Sequence, residues 1–95
     1  MSKWEVHRSD ANQKHIVDAL RRLGASVSII DRPVDLLVGY AGQTYLFEVK
    51  DGNVRPSFRR LSISQVEFLR DWKGGPAMKI ETLKDALDAM RIEVS

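Results

Sequence analysis

The chain has 95 residues, 43% of them hydrophobic, which suits a single domain with one small core. It has no cysteine, which excludes disulfides and thiolate metal sites, and no apolar run near the about 18 residues that a membrane span needs. Fifteen Lys and Arg against 13 Asp and Glu leave a net charge of +2, too small by itself to name a partner.

A first helix is expected over about residues 10 to 23. Ile16, Leu20 and Leu23 recur at helical spacing, Val17 and Ala19 widen the apolar face, and Gly24 reads as the stop. Asp10 and Gln13 fit a variant of the capping box at its start. A strand follows at residues 26 to 30, Ser-Val-Ser-Ile-Ile. Next comes a hairpin: Leu36-Leu37-Val38-Gly39-Tyr40, a turn at Ala41-Gly42, then Thr44-Tyr45-Leu46-Phe47 running on into Glu48-Val49-Lys50. Both runs are rich in β formers and the glycine sits at the break. A loop from Asp51 to Leu61 leads to a second helix. Ser62 is its N-cap, Val66, Leu69 and Trp72 its buried face, and Gly74-Gly75-Pro76 its end. A short strand, Ala77-Met78-Lys79-Ile80, and a last helix over about residues 82 to 90 complete the chain. The order αβββαβα describes an α/β domain over residues 1–95, with a mixed central sheet flanked by helices. The apolar run from Leu36 to Val38 suits a central strand covered on both faces.

The hairpin has a chemical consequence. It brings the start of one strand beside the end of the next, so Asp35 and Glu48 should meet in space. Glu48 and Lys50 are two apart on one strand and should face the same side. Glu48 stands inside the apolar run Tyr45-Leu46-Phe47-Glu48-Val49, where an unpaired carboxylate is costly and so implies a partner or a metal. Two carboxylates and an ammonium converging on one point suit metal-assisted hydrolysis. Hard oxygen ligands select Mg²⁺ or Mn²⁺, and the Val49 carbonyl adds a further oxygen. Arg55, Arg59 and Arg60 cluster just after this strand and form a basic loop suited to phosphates, with a solvated loop as the plain alternative.

Asp35, the hairpin and Glu48-x-Lys50 resemble the core of the PD-(D/E)XK nuclease superfamily, which has a restriction-endonuclease-like fold. Further stretches are similar to the small stand-alone VRR-NUC (virus-type replication-repair nuclease) group. They are Arg8-Ser9-Asp10-Ala11-Asn12-Gln13, Ala19-Leu20-Arg21, Gly24-Ala25, Asp35 to Gly39, Glu48 to Gly52, Leu61-Ser62-x-x-Gln65, Trp72-Lys73-Gly74 and Asp85-Ala86-Leu87. The resemblance covers about residues 8 to 90. It implies a Mg²⁺- or Mn²⁺-dependent DNA endonuclease, selective for branched DNA such as a Holliday junction. It further implies a homodimer, encoded by a bacterium or a phage and acting in the cytoplasm. Asp35 and Glu48 would hold the metal with the Val49 carbonyl, Lys50 would orient the water, and Gln65 would position water or phosphate. Lys14 would join the arginines on the DNA.

Two departures stand out. Gln13 lies where related sequences often carry a Glu, so the site has one negative charge fewer, and Asp10, one turn earlier, is the candidate replacement. Both residues also read simply as a helix cap. Pro33 and Asp35 are separated by Val34, so the Pro-Asp pair is not contiguous. His7 and His15 belong to no recognisable constellation, and Ser57, Ser62 and Ser64 lack a nucleophile elbow. The competing reading is a DNA-binding module of the same fold without catalysis, and a third is an accessory protein whose basic loop docks an acidic partner.

Overall fold

The computed structural model describes residues 3–58 and 60–93, with side chains for 11–57 and 60–93. Helix α1 runs Lys3–Arg22, and β1, Ser26–Ile29, follows it. The hairpin is β2, Leu36–Tyr40, and β3, Gln43–Val49. A single 3₁₀ turn at Pro56–Phe58 precedes α2, Ile63–Asp71; β4, Ala77–Ile80, and α3, Leu83–Ala89, complete the described elements. The order is the expected αβββαβα, a single α/β domain built on a mixed four-stranded sheet.

The sheet order is β1-β2-β3-β4, antiparallel across the first two pairs and parallel between β3 and β4. The β2–β3 turn has two residues, Ala41 at φ 51° and Gly42 at φ 80°. Positive φ at both is the type I′ geometry, whose twist matches that of the flanking strands and fixes one register. That register pairs Tyr40 with Gln43 and Leu36 with Phe47.

Pleat alternation sorts the sheet into two faces. Val27, Leu36, Val38, Tyr45, Phe47, Val49 and Ile80 share one of them, and all are buried. Ile16, Val17 and Leu20 of α1 and Ala86 and Leu87 of α3 pack onto it as one apolar cluster. The Tyr45 and Phe47 rings stack side by side within it. The other face carries Ser28, Leu37, Leu46 and Glu48. Leu37 is 40% exposed there, so β2 is central but is not covered on both faces as its apolar run suggested. The run reports strand propensity at Leu37 and not burial of both faces.

Two further expectations are corrected. Helix α1 begins at Lys3, well before residue 10, so Asp10 lies inside the helix and neither it nor Gln13 caps its start. Residues 3–22 contain no Pro or Gly to stop a helix from propagating upstream of its apolar stripe. At its other end the helix closes as expected: Gly24, left-handed at φ 96°, lets Ala25 N–H donate to Leu20 O at 3.1 Å. Helix α2 starts at the expected cap, Ser62, but has no buried residue. Leu69 is half-buried, while Val66 and Trp72 are 48% and 45% exposed, so the apolar stripe is not a core face. No helix among the described residues is long and apolar enough to cross a membrane.

Candidate functional site

The hairpin register places Asp35 immediately before β2 and opposite the end of β3. The Asp35 carbonyl accepts from Ile30 N–H at 2.8 Å, which continues the β1–β2 ladder to this residue. Its side chain turns to β3, where Oδ2 accepts the Val49 N–H at 2.8 Å. The Lys50 N–H points to the other neighbour and donates to Ile80 O at 2.9 Å. In a trans peptide the C=O and N–H point in opposite directions. The Val49 carbonyl therefore points away from β4, toward the side on which Asp35 lies.

Glu48 is 3% exposed and belongs to the sheet face opposite the apolar core. Its Oε2 lies 3.1 Å from Lys50 Nζ. Its Oε1 is buried and, among the described residues, has no hydrogen-bond partner. The Asp35 carboxyl sits next to it. Burial raises the Asp35 pKa from 3.8 to about 6 against the lowering effect of the Val49 N–H, and the neighbouring Glu48 charge adds to the rise. Two ionised carboxylates only repel, whereas a protonated Asp35 can donate to Glu48. Asp35 thus holds its proton more tightly than an isolated acid.

These observations test the fit of a cation. A divalent ion needs oxygen donors, tolerates burial of their charge and replaces the shared proton. The unpartnered Glu48 Oε1, the adjacent Asp35 carboxyl and the Val49 carbonyl meet that description. Among the described residues no third His, Cys, Asp or Glu completes a cluster with them.

The remaining candidates fall differently. Gln13 is half-buried on α1 and, among the described residues, makes no hydrogen bond to Asp35, Glu48 or Lys50. The Asp10 side chain lies outside those described. Gln65 Oε1 accepts Ser62 N–H at 3.0 Å and so closes the capping box of α2. A Gln three residues after a Ser cap reaches back along its own helix in this way. Lys14 is paired with Asp18 at 2.6 Å, one helical turn away. Arg55 and Arg60 are exposed, and Arg59 lies outside the described residues.

One residue was not singled out in the sequence. The Asn12 side-chain amide donates to Lys50 O at 3.1 Å and to Glu81 O at 3.2 Å. It joins α1 to the ends of two parallel strands. The signal present in the sequence was an Asn among better helix formers, a weak choice unless its amide bonds outside the helix.

No family model matches the chain, and neither a curated protein nor a solved structure matches it.

Proposed function

We propose that this protein is a Mg²⁺- or Mn²⁺-dependent endonuclease of the PD-(D/E)XK type, close to the VRR-NUC group, that hydrolyses phosphodiester bonds in branched DNA. The observation that carries this reading is the buried Glu48 Oε1, without a partner among the described residues, beside the Asp35 carboxyl. A fully buried carboxylate oxygen left bare is expensive unless a proton donor or a cation completes it, and a divalent cation does so at neutral pH, where Asp35 has lost its proton.

Asp35, Glu48 and the Val49 carbonyl would hold the ion. Bound there, it would supply an activated water and a Lewis acid for a phosphoryl oxygen. The protein's own groups do the rest. The Val49 N–H fixes the Asp35 carboxylate from below the site. Glu48 anchors the Lys50 ammonium at 3.1 Å, and the remaining N–H groups of that ammonium orient the attacking water and offset charge on the phosphate. Arg55, Arg59 and Arg60 hold the flanking phosphates, which positions the strand without reading its bases. The reaction takes place in the cytoplasm of the encoding or host cell. Cutting two strands symmetrically takes two such sites, and a C₂ homodimer supplies them.

The test is cleavage of labelled four-way junction, splayed-arm and linear duplex DNA in Mg²⁺, Mn²⁺ or chelator, using wild type and Lys50→Ala. We expect metal-dependent cutting, fastest on the junction, to fall about 10²-fold or more in the variant. DNA binding without cleavage in every metal would instead favour the non-catalytic DNA-binding module. The single charge deficit at Gln13 favours that second reading, and Gln13→Glu would then be tested for rescue.

A further inference from the structure

The Lys50 main chain is held from two directions. On one side its N–H joins the parallel ladder through Ile80 O at 2.9 Å. On the other its C=O accepts from the Asn12 amide at 3.1 Å. The same amide nitrogen donates to Glu81 O at 3.2 Å. Its two hydrogens therefore span the exits of β3 and β4, one carbonyl each. Val49 and Ile80 are the last residues of the two strands, so the amide holds the two carbonyls that follow the paired segment. Beyond Lys50 the chain turns at Asp51-Gly52-Asn53, where Asn53 N–H donates to Asp51 Oδ1 at 2.8 Å. Without Asn12 the peptide after Lys50 would be free to rotate with that turn.

We infer that Asn12 is a positioning residue for the catalytic lysine. It sets the backbone of Lys50 from α1 and so directs the ammonium onto Glu48 Oε2, while touching neither substrate nor metal. The inference rests on the nuclease reading for its kinetic consequence but not for its structural one. The Cβ of a strand's last residue turns with φ, and the bonds on the N–H and the C=O of Lys50 hold its Cα from both sides and so restrain that angle. The ammonium needs that restraint because it stands at the end of a long, four-carbon stem. Asn12 suits the task for a simple reason. It lies on the helix that anchors the core through Ile16, Val17 and Leu20, so the clamp is tied to the most buried part of the molecule.

The experiment compares wild type with Asn12→Ala and with Asn12→Leu, the latter keeping the branched shape and favouring the helix if the smaller variant folds poorly. Two readouts are taken. The first is the Lys50 ammonium signal in a ¹H–¹⁵N spectrum of chelated protein, assigned by its loss in Lys50→Ala. We expect it to shift or broaden in the Asn12 variants while the Lys14 and Lys84 signals stay in place. The second is junction cleavage in Mn²⁺. We expect kcat to fall about 10- to 100-fold, the range seen when outer-shell partners are removed, with KM within about threefold. In the Lys50→Ala background the same substitution should cost nothing further, because the effect passes through that ammonium. An unmoved Lys50 signal overturns the inference, and so does an equal kcat loss in the Lys50→Ala background. If wild type fails to cleave, the nuclease reading falls, and the ammonium signal alone decides the role of Asn12.

Discussion

At the scale of single residues, the nuclease proposal predicts that the Asp35–Glu48 pair makes stability depend on pH and metal in opposite senses. Burial and the Glu48 charge raise the Asp35 pKa to about 6 in the folded chain, against 3.8 for a free aspartate. A raised carboxyl pKa means that the folded state binds the proton more tightly than the unfolded one. Its stabilising share is then fully present below pH 3.8 and is lost as the pH rises through about 6. Water screens much of the effect at this half-buried group, leaving about 1 kcal/mol, or about 4–8 °C in Tm for a domain of this size. In chelator, therefore, wild type should melt higher at pH 5 than at pH 7.5, and Asp35→Asn should lose most of that difference. Mn²⁺ should reverse the order. It competes with the proton, so it raises Tm strongly at pH 7.5 and weakly at pH 5. Scanning calorimetry of both proteins, with and without Mn²⁺, checks this. An identical pH profile for wild type and Asp35→Asn would refute the shared proton.

At the scale of elements, α2 differs from the other two helices. It buries no residue, so its order depends on its ends. Ser62 Oγ accepts Gln65 N–H at 3.2 Å and Gln65 Oε1 accepts Ser62 N–H at 3.0 Å. Ser62→Ala should therefore cost the helix about 1 kcal/mol. Because α2 is weakly tied to the core, the loss should be local. The amide of Val66, bonded to Ser62 O, should exchange severalfold faster while the global Tm moves by less than about 2 °C, as hydrogen exchange and calorimetry would show. A fall in Tm matching the full cost would mean that α2 is part of the cooperative core. This helix also marks the limit of what the sequence discloses. The hairpin was legible because a two-residue turn ending in Gly42 leaves one register, and that register brings Asp35 to Glu48. The Ser62 cap was legible for the same local reason. Periodicity at Val66, Leu69 and Trp72 named an apolar stripe but carried no information about which element would cover it. Asn12 was illegible because its role consists of two carbonyls 38 and 69 residues away. The start of α1 was missed because propagation into Lys3–Ser9 needs no apolar signal.

At the scale of the whole molecule, the net charge of +2 cannot by itself drive tight DNA binding. On the nuclease proposal, the affinity has to come from where the charge lies. Arg55, Arg59 and Arg60 cluster beyond the end of β3, and Arg55 and Arg60 are exposed to solvent. Each phosphate neutralised releases counterions, so log K should fall with log salt by about 0.9 for each contact on duplex DNA. Lys14 adds less, since Asp18 already neutralises it. Three arginines per protomer thus predict a slope of about −3 for one protomer and about −5 for two acting together. Arg55→Ala with Arg60→Ala should flatten the slope by about 2 per bound protomer and leave the order of preference among DNA structures intact, because phosphate contacts do not specify. Anisotropy titrations on a four-way junction at several salt concentrations, beside sedimentation of the same samples, supply both numbers. A slope of about −5 in a species of twice the monomer mass is the expected result for a dimeric junction nuclease. A slope that the double substitution leaves unchanged would place the DNA on another surface, and a monomer at every concentration with DNA bound would remove the paired-site account of how two strands are cut.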